Sequence, residues 1–247
     1  MMNLVLDLGN TYGKIAVCDH DKVVEAATYE RITKREISYF HIRYSGLKGA
    51  IVSSVVNYSR EIIDYLSNLF GTCIELNHST PIPLINRYNT PDTLGYDRIA
   101  SAVGAYTICP GKNVLVIDAG TAITYDVVTS KGEFLGGNIS PGVEIRFKSL
   151  NRYTNRLPHL ERPAEIPPLV GGSTREAIQS GVVRGLLFEM DGFIDTIGDK
   201  YPKLQVVLTG GDAKYFVGKL KNSIFVDPNL NLIGLNRILE HNAESEI

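Results

Sequence analysis

The chain has 247 residues, 44% of them hydrophobic and 21% charged, an ordinary balance for a globular protein with a sizeable core. A formal net charge of −2 excludes the bulk electrostatics of a nucleic-acid or membrane-surface binder, so neither partner is expected. No apolar stretch approaches the roughly 18 residues that a membrane helix needs.

The first apolar run ends in Asp7, and residues 3–8 and 14–19 read as a hairpin around Asp7-Leu8-Gly9-Asn10-Thr11-Tyr12-Gly13-Lys14. Residues 22–29 continue the β pattern, and the polar residues 31–38 begin a helix. Residues 50–56 read as a short buried strand. Asn57 or Ser59 caps the next helix, with Ile62, Ile63, Leu66, Leu69 and Phe70 on one face. Another strand is expected at 72–76. Residues 77–95 form a long loop with Pro81, Pro83 and Pro91, of a length that is often functional. The loop ends in Leu94-Gly95-Tyr96-Asp97-Arg98. Ile99, Ala102, Val103 and Tyr106 then recur at helical spacing up to Pro110-Gly111, a natural domain boundary.

A second hairpin runs from 115–117 to 125–128 around Asp118-Ala119-Gly120-Thr121. A strand at 132–135 leads into Gly136-Gly137-Asn138-Ile139-Ser140-Pro141-Gly142, and a helix follows at 143–150. Residues 151–173 are again long, polar and proline-rich. Thr174 precedes a helix with Ile178, Val182, Leu186, Met190, Phe193 and Ile197 on one side. A strand at 205–209 ends in Gly210-Gly211-Asp212; a short helix, a strand at 223–226 and an amphipathic helix with Leu232, Leu235, Ile238 and Leu239 close the chain. The two acid-and-glycine turns lie 111 residues apart, about half the chain. That offset predicts an internal duplication: two similar α/β domains, 1–111 and 112–247, with a ligand cleft between them.

In the first turn, Gly9 lets backbone N–H groups approach an anion closely. Asn10 and Thr11 add donors, Lys14 adds positive charge, and Asp7 offers a carboxylate to a hard cation such as Mg²⁺. The plainer reading is a polar hairpin in which Asp7 bonds the turn N–H groups. In the second turn, Gly120 and Thr121 suit phosphate and Asp118 a cation, the alternative being a buried acid satisfied locally. Two such turns facing each other make a phosphate clamp, and Gly210-Gly211 lets a flat ring such as adenine approach the backbone. Asp97 suits the work of a general base, and Arg98 can fork onto a carboxylate. The alternative makes Asp97 an acid favoured by the helix dipole and Arg98 a surface charge. No GxxxxGK[ST], HExxH or GxSxG occurs, nor GxGxxG after a strand. The five histidines (His20, His41, His78, His159, His241) form no spaced pair, so no catalytic histidine or zinc site is expected. The three scattered cysteines (Cys18, Cys73, Cys109) argue against a disulfide framework and for a reducing compartment. With no basic segment before the first apolar run, a cytoplasmic protein is expected.

The repeated Asp-x-Gly-x-Thr turns resemble those of the actin, Hsp70 and sugar-kinase ATPase superfamily. More narrowly, the chain resembles the type III pantothenate kinases over nearly its whole length. Residues 7–14 resemble the family's DxGNTxxK, 95–98 its GxDR, 118–124 its DxGTAxT and 136–142 its GGxIxPG. Ser173-Thr174 with Ile178-Gln179-Ser180-Gly181 resembles its late substrate segment. The resemblance implies two ribonuclease H-like (actin-like ATPase) domains with a central nucleotide cleft. It also implies ATP-dependent phosphorylation of pantothenate to 4′-phosphopantothenate, the first step of coenzyme A biosynthesis. By position, it makes Asp7, Leu8, Gly9, Asn10, Thr11, Tyr12, Gly13, Lys14 and Thr121 the ATP contacts. Asp97 becomes the base. Tyr88, Gly95, Tyr96, Asp97, Arg98 and Thr174 become the pantothenate contacts. Asp118 becomes the carrier of a monovalent cation, K⁺ or NH₄⁺, beside the Mg²⁺ that accompanies ATP. The family is dimeric, with Thr174 supplied by the neighbouring subunit. Gly181 and Gly185, four apart, suit close helix packing there, or helix-on-sheet packing within one subunit. Ser173 replaces a frequent asparagine, which leaves its side-chain role open. Two other functions fit the scaffold: a kinase for another small alcohol or carboxylate, and a nucleotide-binding regulator.

Overall fold

The computed structural model describes residues 1–9, 12–54 and 58–245. Asn10 and Thr11 of the first turn therefore lie outside the described residues, as do Val55, Val56 and Asn57. In chain order the strands are β1 (Met2–Leu8), β2 (Gly13–Asp19), β3 (Lys22–Tyr29), β4 (Gly49–Ser54), β5 (Thr72–Glu75), β6 (Ile85–Asn86), β7 (Val114–Ala119), β8 (Ala122–Val128), β9 (Glu133–Pro141), β10 (Gln205–Thr209) and β11 (Phe225–Val226). The helices are α1 (Lys34–Arg43), α2 (Arg60–Leu69), α3 (Tyr96–Ile108), α4 (Val143–Arg152), α5 (Thr174–Lys200), α6 (Ala213–Phe216) and α7 (Leu230–Ser245). Contacts group the chain into two compact units. One comprises Met1–Gly111, Val128–Leu135 and Asn229–Ile247; the other comprises Lys112–Val127 and Gly136–Pro228.

In the first unit the strand order is β3-β2-β1-β4-β5. β1, β2 and β3 pair antiparallel, whereas β1, β4 and β5 pair parallel. The sheet is covered on both faces, so β1 reads as a continuous apolar run rather than an alternating one. Leu4, Leu6 and Leu8 join Ile37 and Phe40 of α1 and Ile62 and Leu66 of α2. Val5, Ala16 and Ile51 face the other way, toward Ile99 and Val103 of α3 and Leu232, Leu235 and Ile238 of α7. This second layer explains why the last helix groups with residues 1–111. Its apolar stripe is fully covered there, and Asn236 accepts a buried bond from Asn3 at 2.9 Å. The α3–α7 crossing is close, because a Cβ on Gly104 or Gly234 would overlap the Leu230 or Ala100 carbonyl. Of the two candidate caps of α2, Ser59 is the one in place, its side chain accepting from the Glu61 N–H.

The second sheet has the order β9-β8-β7-β10-β11, the order of the first sheet repeated, with β6 added beyond β9. β7, β10 and β11 are parallel, and two residues join β7 to β8. Three boundaries differ from expectation. β8 starts at Ala122, and β11 is only two residues long. β9 continues through the glycine segment to Pro141. Gly136-Gly137 does not break the strand, because the glycine at 137 answers close approach. A Cβ there would overlap the Tyr125 carbonyl of the neighbouring strand. The long loop 77–95 contains β6, which pairs with Glu133 and Phe134, and a 3₁₀ turn at Pro91–Thr93.

Candidate active site

The hairpin β1–β2 closes through a Gly9 N–H bond to the Tyr12 carbonyl at 3.1 Å. A Cβ on Gly9 would sit 2.9 Å from that same oxygen, so the turn needs glycine here. The register sets Lys14 directly opposite Asp7. On an antiparallel pair, opposite residues share a face. Asp7 keeps some surface, yet its carboxyl is held among dense protein atoms. Burial raises its pKa to about 6; Lys14 pulls it down and the Asp97 charge pushes it up. Asp97, at the start of α3, is thus near enough for its charge to act on that carboxylate. Leu8, Gly9 and Gly13 also wall a cavity of ≈ 550 Å³ beside Ile32 and Ser59. Tyr12 is exposed.

Asp97 is exposed in the first turn of α3, and its Oδ1 accepts from the Arg98 N–H at 2.8 Å. A Cβ on Gly95 would overlap that oxygen, so glycine leaves the carboxylate room to lie over the helix start. The dipole reading of Asp97 and the base reading are compatible with this position. Arg98 is not a surface charge: it is 6% exposed, and its guanidinium lies over the Tyr88 ring at 5.3 Å. Cation–π contact and burial hold the guanidinium in place. Two expected substrate residues are therefore in direct contact. A third, Tyr96, packs its ring against His78 at a tilt, centroids 4.7 Å apart, and lines a separate ≈ 360 Å³ pocket with Ser54, Arg60 and Asn77.

In the other unit, Asp118 is the last residue but one of β7 and Thr121 is exposed in the turn to β8. The Gly142 N–H donates to the Thr121 carbonyl at 2.9 Å, and the Asp212 N–H to the Ala119 carbonyl at 2.8 Å. Gly210 has φ +95°, and a Cβ there would overlap both Asp118 Oδ1 and the Ala119 carbonyl. Two oxygens thus lie together beside a glycine, which is the donor chemistry a hard monovalent cation takes. Thr174 is exposed at the first position of α5. Ser173, whose role was open, caps that helix by accepting from the Glu176 N–H at 3.2 Å. Gly181 and Gly185 have nothing within 4 Å of a Cβ position, which removes helix-on-sheet packing within one subunit as their reason. Among the described residues, no three or more His, Cys, Asp or Glu side chains are arranged to hold a metal. Mg²⁺ that travels with nucleotide needs fewer, since phosphates and water fill most of its shell. A lone, half-buried Asp7 fits that demand.

Motif reading did not single out Arg146, Glu189 or Tyr125. Arg146 donates to Glu189 Oε2, Ser140 Oγ and the Pro141 carbonyl, and Tyr125 donates to Glu189 Oε1. The only hint in the sequence is that Arg146 stands four residues beyond the glycine segment.

Two sheets of one strand order, each opening on a hairpin with an acid before its glycine turn, define the class. Solved structures show the same fold. A Campylobacter jejuni protein described as a Baf family transcriptional activator superposes with TM-score 0.62 at 22% identity, covering 98% of this chain and 99% of its own. The activator of a Clostridium difficile 2-hydroxyisocaproyl-CoA dehydratase, with bound ADPNP, superposes with TM-score 0.54 at 13% identity, covering 100% and 97%. At these identities the likeness is one of fold alone. This is an α/β protein of the actin, Hsp70 and sugar-kinase ATPase superfamily. A family profile described as type III pantothenate kinase matches residues 3–196. A type III pantothenate kinase of Phocaeicola vulgatus is 46% identical over 241 residues, spanning 98% of this chain and 99% of the relative. One from Bacteroides fragilis is 43% identical over 241 residues, spanning 98% of each. The chain belongs to the type III pantothenate kinase family.

Proposed function

We infer that the chain, as a type III pantothenate kinase, moves the γ-phosphoryl group of ATP to the 4′-hydroxyl of pantothenate. The product is 4′-phosphopantothenate, the first intermediate on the way to coenzyme A. The observation that carries the assignment of roles is that Lys14 stands opposite Asp7 at the end of the β1–β2 hairpin and that the Asp97 charge acts on the same carboxylate. Asp97 takes the hydroxyl proton as the oxygen bonds to phosphorus and the bond to the ADP oxygen breaks. Such transition states are loose, so position and charge neutralisation carry most of the catalysis. Lys14 supplies positive potential to the phosphates at the first turn, and Thr121 adds a contact from the second turn. Arg98, braced by Tyr88, takes the pantothenate carboxylate, while Gly95 and Tyr96 line the acceptor's path.

Asp7 is the carboxylate for Mg²⁺, and Asp118 with the Ala119 carbonyl is the place for K⁺ or NH₄⁺. When bound, both ions offset phosphate charge. The homodimer, with Thr174 reaching the neighbouring subunit's acceptor, rests on the family resemblance. It is supported by open space over Gly181 and Gly185 and by Phe188, 63% exposed on the same helix. ATP and pantothenate are the partners, and the near-neutral net charge of −2 favours neither nucleic acid nor a membrane surface. Among the described residues, no helix is long and apolar enough to cross a membrane. A cytoplasmic site of action suits three cysteines scattered far apart in the chain.

Steady-state kinetics of Asp97→Asn test the assignment. Turnover is expected to fall by a factor on the order of 10²–10⁴, with the ATP KM little changed. Near-normal turnover removes Asp97 from the role of base. Asp118→Asn is expected to blunt the difference between K⁺ and Na⁺ buffers; an undiminished K⁺ response would sink that site.

A further inference from the structure

The second phosphate turn does not stand alone. Its Thr121 carbonyl is held by the Gly142 N–H, and a Cβ at 142 would overlap the carbonyls of Gly120 and Thr121. Backbone is therefore pressed directly against backbone, and wherever Gly142 goes the turn must follow. Gly142 is also the N-cap of α4, and it has no side chain with which to fix that junction. Arg146 does so instead. Its Nε donates to the Pro141 carbonyl at 2.8 Å, and one terminal nitrogen donates to Ser140 Oγ at 2.6 Å. That same nitrogen donates to Glu189 Oε2 of α5 at 2.6 Å. Glu189 is fixed in turn by the Tyr125 hydroxyl at 2.9 Å, donated from β8. The pair is mostly covered, with side-chain exposures of 22% and 24%. Burial pushes the Glu189 carboxyl up, but hydrogen bonds from Arg146, Ser140 and Tyr125 and the Arg146 charge outweigh it and hold it below the usual range.

We propose that Arg146, anchored by Glu189, is a positioning residue for ATP: it sets the place of the Gly120-Thr121 turn through Pro141 and Gly142. The proposal rests on the reading that Thr121 contacts a phosphate. A planar fork with three acceptors in fixed directions suits this task, and a lysine ammonium cannot reproduce it. The competing reading is that the ion pair only staples α4 to α5. A staple lost lowers stability and affects both substrates alike, whereas a displaced turn weakens nucleotide alone.

Arg146→Lys, Glu189→Gln and Thr121→Ala, each in the full-length enzyme, separate these. Thermal midpoints, ADP binding by calorimetry and both KM values are the readouts. Arg146→Lys is expected to raise the ATP KM and the ADP Kd about tenfold, with the pantothenate KM within about twofold. Glu189→Gln, which keeps a neutral acceptor, is expected to show a smaller rise in the same two quantities. Thr121→Ala gives the scale for the turn itself. If Thr121→Ala weakens ATP and neither other variant does, the inference fails while the site reading stands. Equal rises in both KM values for Arg146→Lys, or a fall in midpoint alone, overturn it too. If Thr121→Ala leaves ATP binding untouched, the phosphate-turn reading falls and takes the inference with it.

Discussion

Asp7 shows how one residue is tuned by its surroundings. Burial raises its pKa to about 6, past the pull of Lys14 opposite, and Asp97 adds to the rise. A carboxyl with a raised folded pKa binds more protons folded than unfolded, so stability falls as pH rises from the ordinary carboxylate range through about 6. In Mg²⁺-free buffer, Asp7→Asn is therefore expected to be more stable than the wild type at pH 8, with the gap closing toward pH 4. Denaturant titrations across that range check this; a gap that widens on acidification contradicts it. The types and spacing of Asp7, Lys14 and Asp97 were legible because each stands one residue inside the end of a strand or helix. The burial of Arg98 under Tyr88 was not, since it depends on where the loop 77–95 returns. The Arg146–Glu189 pair was equally hidden, as its members lie 43 residues apart.

At the level of elements, glycines carried most of the difference between sequence and structure. Gly136-Gly137 read as the start of a connection, but the second glycine lets β9 lie tight against β8. Gly104 and Gly234 drew no comment from periodicity, yet they let α3 and α7 cross backbone to backbone. Hydrophobic spacing identifies which face of a helix is buried, not how near its partner comes. Gly234→Ala is expected to destabilise the fold by on the order of 2 kcal/mol, since a methyl group there meets a carbonyl of α3 rather than a movable side chain. An unchanged thermal midpoint would show that the crossing relaxes freely. The same crossing explains the fate of the last helix. Its periodicity was plain in the sequence, but its attachment to residues 1–111 was not, because nothing local names the face it covers.

For the molecule as a whole, the duplication was the most legible feature. Two acid-and-glycine turns 111 residues apart anticipated two sheets, and both have the same strand order. Gly185→Leu fills the open space on α5 and is expected to shift the sedimentation coefficient toward monomer and to lower activity as Thr174 is withdrawn. A fully active monomer contradicts the shared acceptor site. As a pantothenate kinase, the chain is expected to need a monovalent cation for turnover. A coupled assay of ADP release, with Mg²⁺-ATP in K⁺ and in Na⁺ buffer, tests it most directly. The expected result is release that requires pantothenate and is much faster in K⁺. ADP release indifferent to pantothenate, or absent in K⁺, would contradict it.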